Sequence, residues 1–136
     1  LGKLPCIRLN GTSDIQWEQI AIEGYANIFD MFSDIQFYDY TKIPTRKVSH
    51  IKNYHLTWSY SEANDKYARL FETVPYNKAV VFKGDMPKVF KGMRVIDGDK
   101  TDMRFLDQSN RVIGLKAKGK AKKDNSGFVI DVLQIT

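Results

Sequence analysis

Lys78-Ala79-Val80-Val81-Phe82 is the stretch on which the fold turns. Its middle is apolar at every position, without the alternation of a strand wetted on one side. A strand buried on both faces belongs to a parallel sheet covered on both sides. Reading outward, Tyr54-His55-Leu56-Thr57-Trp58-Ser59 and Gln36-Phe37-Tyr38-Asp39-Tyr40-Thr41 are rich in β-formers, and Cys6-Ile7-Arg8-Leu9 is a short first strand.

The intervening segments read as helices. Trp17, Ile20, Ala21, Tyr25, Ile28, Phe29 and Phe32 recur at three- and four-residue spacing, which predicts one amphipathic helix of about four turns. Ser13 and Gln16 have the spacing of a capping box, and Glu18 suits the positive end of the helix dipole. A second helix, capped by Ser61 or Asn64 and ended by Pro75, turns Tyr67, Ala68, Leu70 and Phe71 inward. A helical turn is expected around Pro87–Lys91. Strand and helix in alternation predict an α/β fold of βα repeats over residues 1–92, forming a mainly parallel sheet like part of a barrel. After residue 93, short apolar segments (Met93–Ile96, Val112–Leu115, Phe128–Leu133) alternate with Asp-, Gly-, Asn- and Lys-rich turns. This part reads as a β-rich, basic extension of the same single domain.

Composition narrows the function classes. The 136 residues include one cysteine, Cys6, which excludes an internal disulfide and a thiolate-built zinc site, and points to a reducing compartment. No apolar run approaches the roughly 20 residues that span a bilayer, and no signal peptide is visible. A cytoplasmic location is therefore expected, without a membrane partner. The net charge of +5 is uneven: residues 1–77 carry 8 Lys/Arg against 9 Asp/Glu, and residues 78–136 carry 13 against 7. A basic C-terminal half suits an anionic partner such as nucleic acid, and equally suits plain solubility.

In open parallel sheets, ligands bind beyond the carboxyl ends of the strands. That rule selects Asn10, Thr12, Ser13 and Asp14 after the first strand, Asp39, Tyr40 and Thr41 at the end of the second, and Ser59 at the end of the third, as pocket candidates. The Asn10–Asp14 turn can cap the following helix or present donors to a ligand. Asp97, Asp99 and Asp102 resemble the oxygen set of a hard cation, although Asp97-Gly98 is also ordinary turn chemistry. Lys116, Lys118, Lys120 and Lys122, if extended, share one face, able to track phosphates or to guard a sheet edge. Lys42, Arg46 and Lys47 form a second basic cluster in the loop before the third strand. His55 is a structural histidine or a general base. No nucleotide loop, zinc-helix pair or hydrolase triad is present, and no cofactor is expected.

Arg8-Leu9-Asn10-Gly11-Thr12-Ser13-Asp14-Ile15 and Phe37-Tyr38-Asp39-Tyr40-Thr41-Lys42 together resemble bacteriophage proteins of the gene product eighty-eight family. Asp102-Met103-Arg104-Phe105-Leu106-Asp107, Gly114–Gly119 and Ser126-Gly127-Phe128-Val129 extend the similarity to the C-terminal part. The resemblance implies a phage or prophage origin, an α/β fold and action in the host-cell cytoplasm. It supplies no catalytic residue. Longer members carry a cysteine-rich N-terminal segment and look distantly like partial βα barrels of the radical-SAM kind. Cys6 alone cannot build a three-thiolate cluster, so that segment is expected upstream of Leu1 or lost. Two functions follow from these readings. One is a binding domain for nucleic acid or a host nucleic-acid-associated protein. The other is the C-terminal part of a barrel-like enzyme whose metal or cluster chemistry comes from the upstream segment. The open sheet edges also leave room for a homodimer.

Overall fold

The structure, a computed structural model, describes residues 6–61 and 65–135. Eight strands form one sheet: β1 (Cys6–Ile7), β2 (Gln36–Thr41), β3 (Tyr54–Ser59), β4 (Asn77–Lys83), β5 (Val89–Phe90), β6 (Met93–Asp97), β7 (Val112–Lys116) and β8 (Val129–Asp131). Their order is β1-β2-β3-β4-β7-β6-β5, with β8 on β4. Every pairing is parallel except the β5–β6 hairpin. β4 is the centre. β7 lies along one of its edges, opposite Lys78 to Phe82, while β3 and then β8 share the other, opposite Asn77–Ala79 and Val81–Lys83. Val80 is fully buried, as its uninterrupted apolar setting requires.

Among the described residues the expected βα repeats are absent. Two single-turn helices, α1 (Ile28–Met31) and α2 (Asp65–Ala68), and five short 3₁₀ turns take their place, so the fold is mainly sheet. The apolar stripe from Trp17 to Phe32 is broken in the middle by a tight turn. Glu23 (φ 50°) and Gly24 (φ 85°) both adopt the left-handed conformation, and Ile22 and Tyr25 exchange backbone hydrogen bonds of 3.1 and 2.7 Å across them. Two consecutive positive φ angles suit a hairpin turn and end a helix. Ile20, Tyr25 and Phe32 are consequently exposed. Ser13 does not cap, because its hydroxyl donates to Asn10 Oδ1 at 3.1 Å, and Asn27 caps α1 instead. Of the expected caps of the second helix, Asn64 lies outside the described residues. The turn expected at Pro87–Lys91 is the β5 strand and its hairpin.

The segment after residue 93 is not an appendage. β6, β7 and β8 complete the same sheet, reaching parallel alignment through 3₁₀ turns and loops. Nor does the sheet advance strand by strand as a barrel would, since β4 is followed in space by β7.

Register divides the side chains between two faces. Phe37, Leu56, Trp58, Val80, Phe82 and Val112 share one, where Phe29, Val48, Phe71, Val74 and Phe90 cover them. Tyr38, Tyr40, His55, Thr57 and Ile113 share the other, under a strap running from Gly98 to Asp107 that brings the Phe105 ring to 5.5 Å from Tyr38. Arg104 of the strap is 1% exposed, its Nε 3.3 Å from Asp107 Oδ2. Gly98 makes room for it. A β-carbon at position 98 would lie 2.5 Å from Arg104 Nη1, 2.5 Å from Ile113 Cγ2 and 2.9 Å from Leu115 Cδ2. Gly98→Ala is therefore expected to cost about 1–3 kcal/mol of stability through overpacking. Urea unfolding would show it as a lower midpoint at unchanged slope.

Candidate functional site

Because β1, β2 and β3 run the same way, their carboxyl ends and the loop after β1 meet. Arg8, Asn10, Gly11, Thr12, Ser13, Asp14, Tyr40, Thr41, Lys42 and Ser59 line one cavity of about 260 Å³. Seven of the eight pocket candidates are thus brought together, and Lys42 joins them. Asp39 is not among them. It is fully buried on the core face and accepts from the Asn10 amide at 2.7 Å and from the Tyr54 hydroxyl at 2.7 Å. Burial raises its pKa, opposed by those two hydrogen bonds and by Arg46 and Arg8.

The loop is held by its own polar groups. Asn10 Oδ1 accepts from Trp17 Nε1 at 2.9 Å, and Asn10 Nδ2 donates to the Ile15 carbonyl at 2.9 Å. The Asp14 carboxylate accepts from the Thr41 hydroxyl (2.8 Å), the Lys42 amide (2.8 Å) and Arg46 Nη1 (3.0 Å). Asn10, Asp14 and Thr41 therefore shape the cavity, while Thr12 and Ser13 are its exposed hydroxyls.

Arg46 is not the surface contact expected from its basic loop. Its guanidinium is buried, forked onto Glu18 through Nε (2.9 Å) and Nη2 (2.6 Å), and Nη2 also donates to the Tyr54 hydroxyl at 2.9 Å. Burial disfavours its charge, but the Glu18 carboxylate and Tyr54 outweigh that and raise its pKa. Its carboxylate partners Glu18 and Asp14 lie 28 and 32 residues before it in the chain, beyond the reach of any local pattern. A further lining residue, Arg8, stands over the Tyr40 ring with its guanidinium 4.9 Å from the centroid. Its place at the end of the first strand was the available signal. The Tyr40 hydroxyl has its pKa raised by burial, against the pull of Arg104 and Arg8.

Residues 2–132 match the model of a family described as Gene product 88. The chain belongs to the Gene product 88 family. These are phage gene products, and the match takes in both the cavity loop and the lysine-rich segment of this member. Neither the curated proteins nor the solved structures hold a significant match to it.

The other candidates of this Gene product 88 protein are dispersed or rearranged. Lys116 ends β7, but Gly119–Lys123 is a 3₁₀ turn entered through Gly119 at φ 56°, so Lys116, Lys118, Lys120 and Lys122 do not form one extended face. All four are exposed, as are Lys42 and Lys47. Asp97, Asp99 and Asp102 do not converge, and among the described residues no group of three or more His, Cys, Asp or Glu side chains could hold a metal. Asp97 accepts from the Asp99 amide at 2.9 Å, and Asp99 accepts from the Lys116 amide at 3.0 Å. No helix among the described residues is long and apolar enough to cross a membrane. His55 lines a separate cavity of about 300 Å³ at the amino ends of the strands, with Tyr76 and Asn77.

Two predictions follow from these placements. Arg46→Met leaves Glu18 and Asp14 without their cation and is expected to cost about 3–5 kcal/mol. Adding Glu18→Met should restore part of that loss in the same chemical denaturation series. Burial first, and then Arg104, lowers the His55 pKa below the 6.5 of a free imidazole. The unfolded chain then binds the proton more readily. His55 stability is therefore complete above pH 6.5 and is lost as pH falls from there through the depressed folded value. His55→Gln should flatten the melting temperature against pH across that window, and a variant curve parallel to the wild type would refute the assignment.

Proposed function

We propose that this Gene product 88 protein binds nucleic acid along the carboxyl-end rim of its parallel sheet. One observation carries the reading: strand direction collects exposed basic residues at a single end. Arg8 follows β1, Lys42 follows β2, Lys83 ends β4 and Lys116 ends β7, with Lys118, Lys120, Lys122 and Lys123 in the segment beyond. Scattered in sequence, they share a rim because parallel strands finish on the same side. Several carboxylates of that rim turn their oxygens onto the chain's own donors. Asp14 holds Arg46 and Thr41, Asp99 holds the Lys116 amide, and Asp124 accepts from the Ser126 hydroxyl (2.8 Å) and the Val129 amide (3.2 Å). Lys118 approaches Asp99 only at 3.8 Å and stays 77% exposed. Ammonium groups so displayed suit phosphates, whose neutralisation releases condensed counterions and gives salt-dependent affinity.

The strand-end cavity offers little to a catalytic reading. Among the described residues the cavity's one carboxylate, Asp14, is engaged by three donors, and Asp39 faces the core in its own hydrogen bonds.

Fluorescence anisotropy with a labelled oligonucleotide of arbitrary sequence, across a salt series, tests the proposal. Binding should weaken steeply as salt rises. Replacing Lys116, Lys118, Lys120 and Lys122 together by Ala should lower the slope of log K against log salt by about 3, at roughly 0.7 per lost phosphate contact on a single strand. Lys52→Ala, at the opposite end just before β3, should bind as the wild type does. Absence of binding at the lowest salt, or a quadruple variant with unchanged affinity, would overturn it.

A further inference from the structure

We infer that the rim takes single-stranded rather than duplex nucleic acid, seating one base in the strand-end cavity against Tyr40 and Arg8; this rests on the nucleic-acid reading above. A single strand asks for two things in alternation: cations for phosphates and flat surfaces for bases that have left their stack. The lysine-rich segment supplies only the first. The fold supplies the second from elsewhere in the chain.

Tyr40 forms part of the cavity wall, and Arg8 lies over its ring at 4.9 Å. A phenol and a guanidinium thus present two planar, stackable groups at one opening. The exposed hydroxyls of Thr12 and Ser13 stand beside them, able to meet the polar edge of a heterocycle. At about 260 Å³ the cavity lies just under the usual range for drug-sized ligands, a size suited to one small heterocycle. Lys42 borders the same cavity, and its Nζ reaches to 5.7 Å from the centroid of the half-buried Phe128 ring. Phe128 belongs to the segment that follows the lysine-rich turn. Ring, cation and ring therefore succeed one another from the cavity toward Lys118–Lys123, although residues 40 and 128 are far apart in sequence.

Duplex recognition asks for something different. A major groove about 12 Å wide is filled by a helix or a two-stranded ribbon. The rim is made of strand ends, loops and 3₁₀ turns, and among the described residues the α-helices are single turns. A concave pocket cannot enter a groove, whereas a splayed base can enter a pocket.

The test is anisotropy with a labelled oligothymidine and with the same strand annealed to oligoadenine, at matched salt. The single strand should bind at least about tenfold more tightly. Tyr40→Ala should weaken single-strand binding about ten- to a hundredfold, the fold-change of one lost stack, with an unchanged salt slope because no phosphate contact is lost. Tyr40→Phe, keeping the ring, should recover the affinity. Arg8→Lys keeps the charge and removes the flat guanidinium. It changes an exposed side chain and so reads the same stack if Tyr40→Ala fails to fold; it should weaken binding at constant slope. Equal affinity for duplex and single strand, or wild-type affinity in both Tyr40→Ala and Arg8→Lys, overturns the inference while leaving salt-dependent binding, and hence the proposed function, in place. Binding of neither oligonucleotide at low salt overturns both.

Discussion

A single buried cation holds the site end of the molecule together. The Arg46 guanidinium pairs with Glu18 through two hydrogen bonds and with Asp14 through a third. It also meets Tyr54, whose hydroxyl passes the contact on to Asp39 of β2. On the backbone side, the Tyr76 hydroxyl donates to the Arg46 carbonyl at 2.7 Å and accepts from the Val48 amide at 2.9 Å. Four parts of the chain are thereby fixed to one residue: the loop after β1, β2, the start of β3 and the approach to β4. A charge taken out of water is costly unless fully paired, so this arrangement adds less to net stability than it removes from the alternatives. Its effect is to specify one position for the Asn10–Asp14 loop, and that position is what gives the cavity its wall.

The electrostatics of the rim follow from the same constraint. Had Asp14 faced open water, the cavity would carry a carboxylate among its hydroxyls. Instead that charge is turned onto Arg46, Thr41 and the Lys42 amide. Arg8 and Lys42 are the basic residues among the cavity's lining. The buried Arg46 network and the exposed Arg8 and Lys42 are two halves of one arrangement, in which Asp14 is paired within the fold while those two basic side chains stay at the surface.

What could be read from the sequence was direction, and what could not was curvature and partnership. The apolar run Lys78–Phe82 implies a strand covered on both faces and hence parallel neighbours, and from parallel direction alone the convergence of Asn10, Thr12, Ser13, Asp14, Tyr40, Thr41 and Ser59 follows, whatever connects the strands. The connections differ from that expectation because hydrophobic spacing is only a projection. Trp17, Ile20, Tyr25 and Phe32 fit a helical stripe, yet Glu23 and Gly24 take left-handed angles that reverse the chain between them. Gly119 does the same to the lysine run, whose period of two holds only while the backbone is extended. Arg46 and Asp39 are buried for another reason. Their burial depends on Glu18, Tyr54 and Asn10, residues brought to them by tertiary folding rather than by spacing. The significance of Arg8 lies in the Tyr40 ring beneath it, a contact between strand ends.

The strap-covered face of the sheet holds two groups whose pKa values are shifted by their surroundings. Tyr40 and His55 belong to the same strap-covered face, and Arg104 acts on both. For Tyr40, burial outweighs Arg104 and Arg8, so the phenol keeps its proton well past neutrality and its ring stays an uncharged surface. For His55, burial and Arg104 act in the same direction and lower its pKa below that of a free imidazole. His55 lines the second cavity, at the amino ends of the strands, whereas Tyr40 lines the first, at their carboxyl ends.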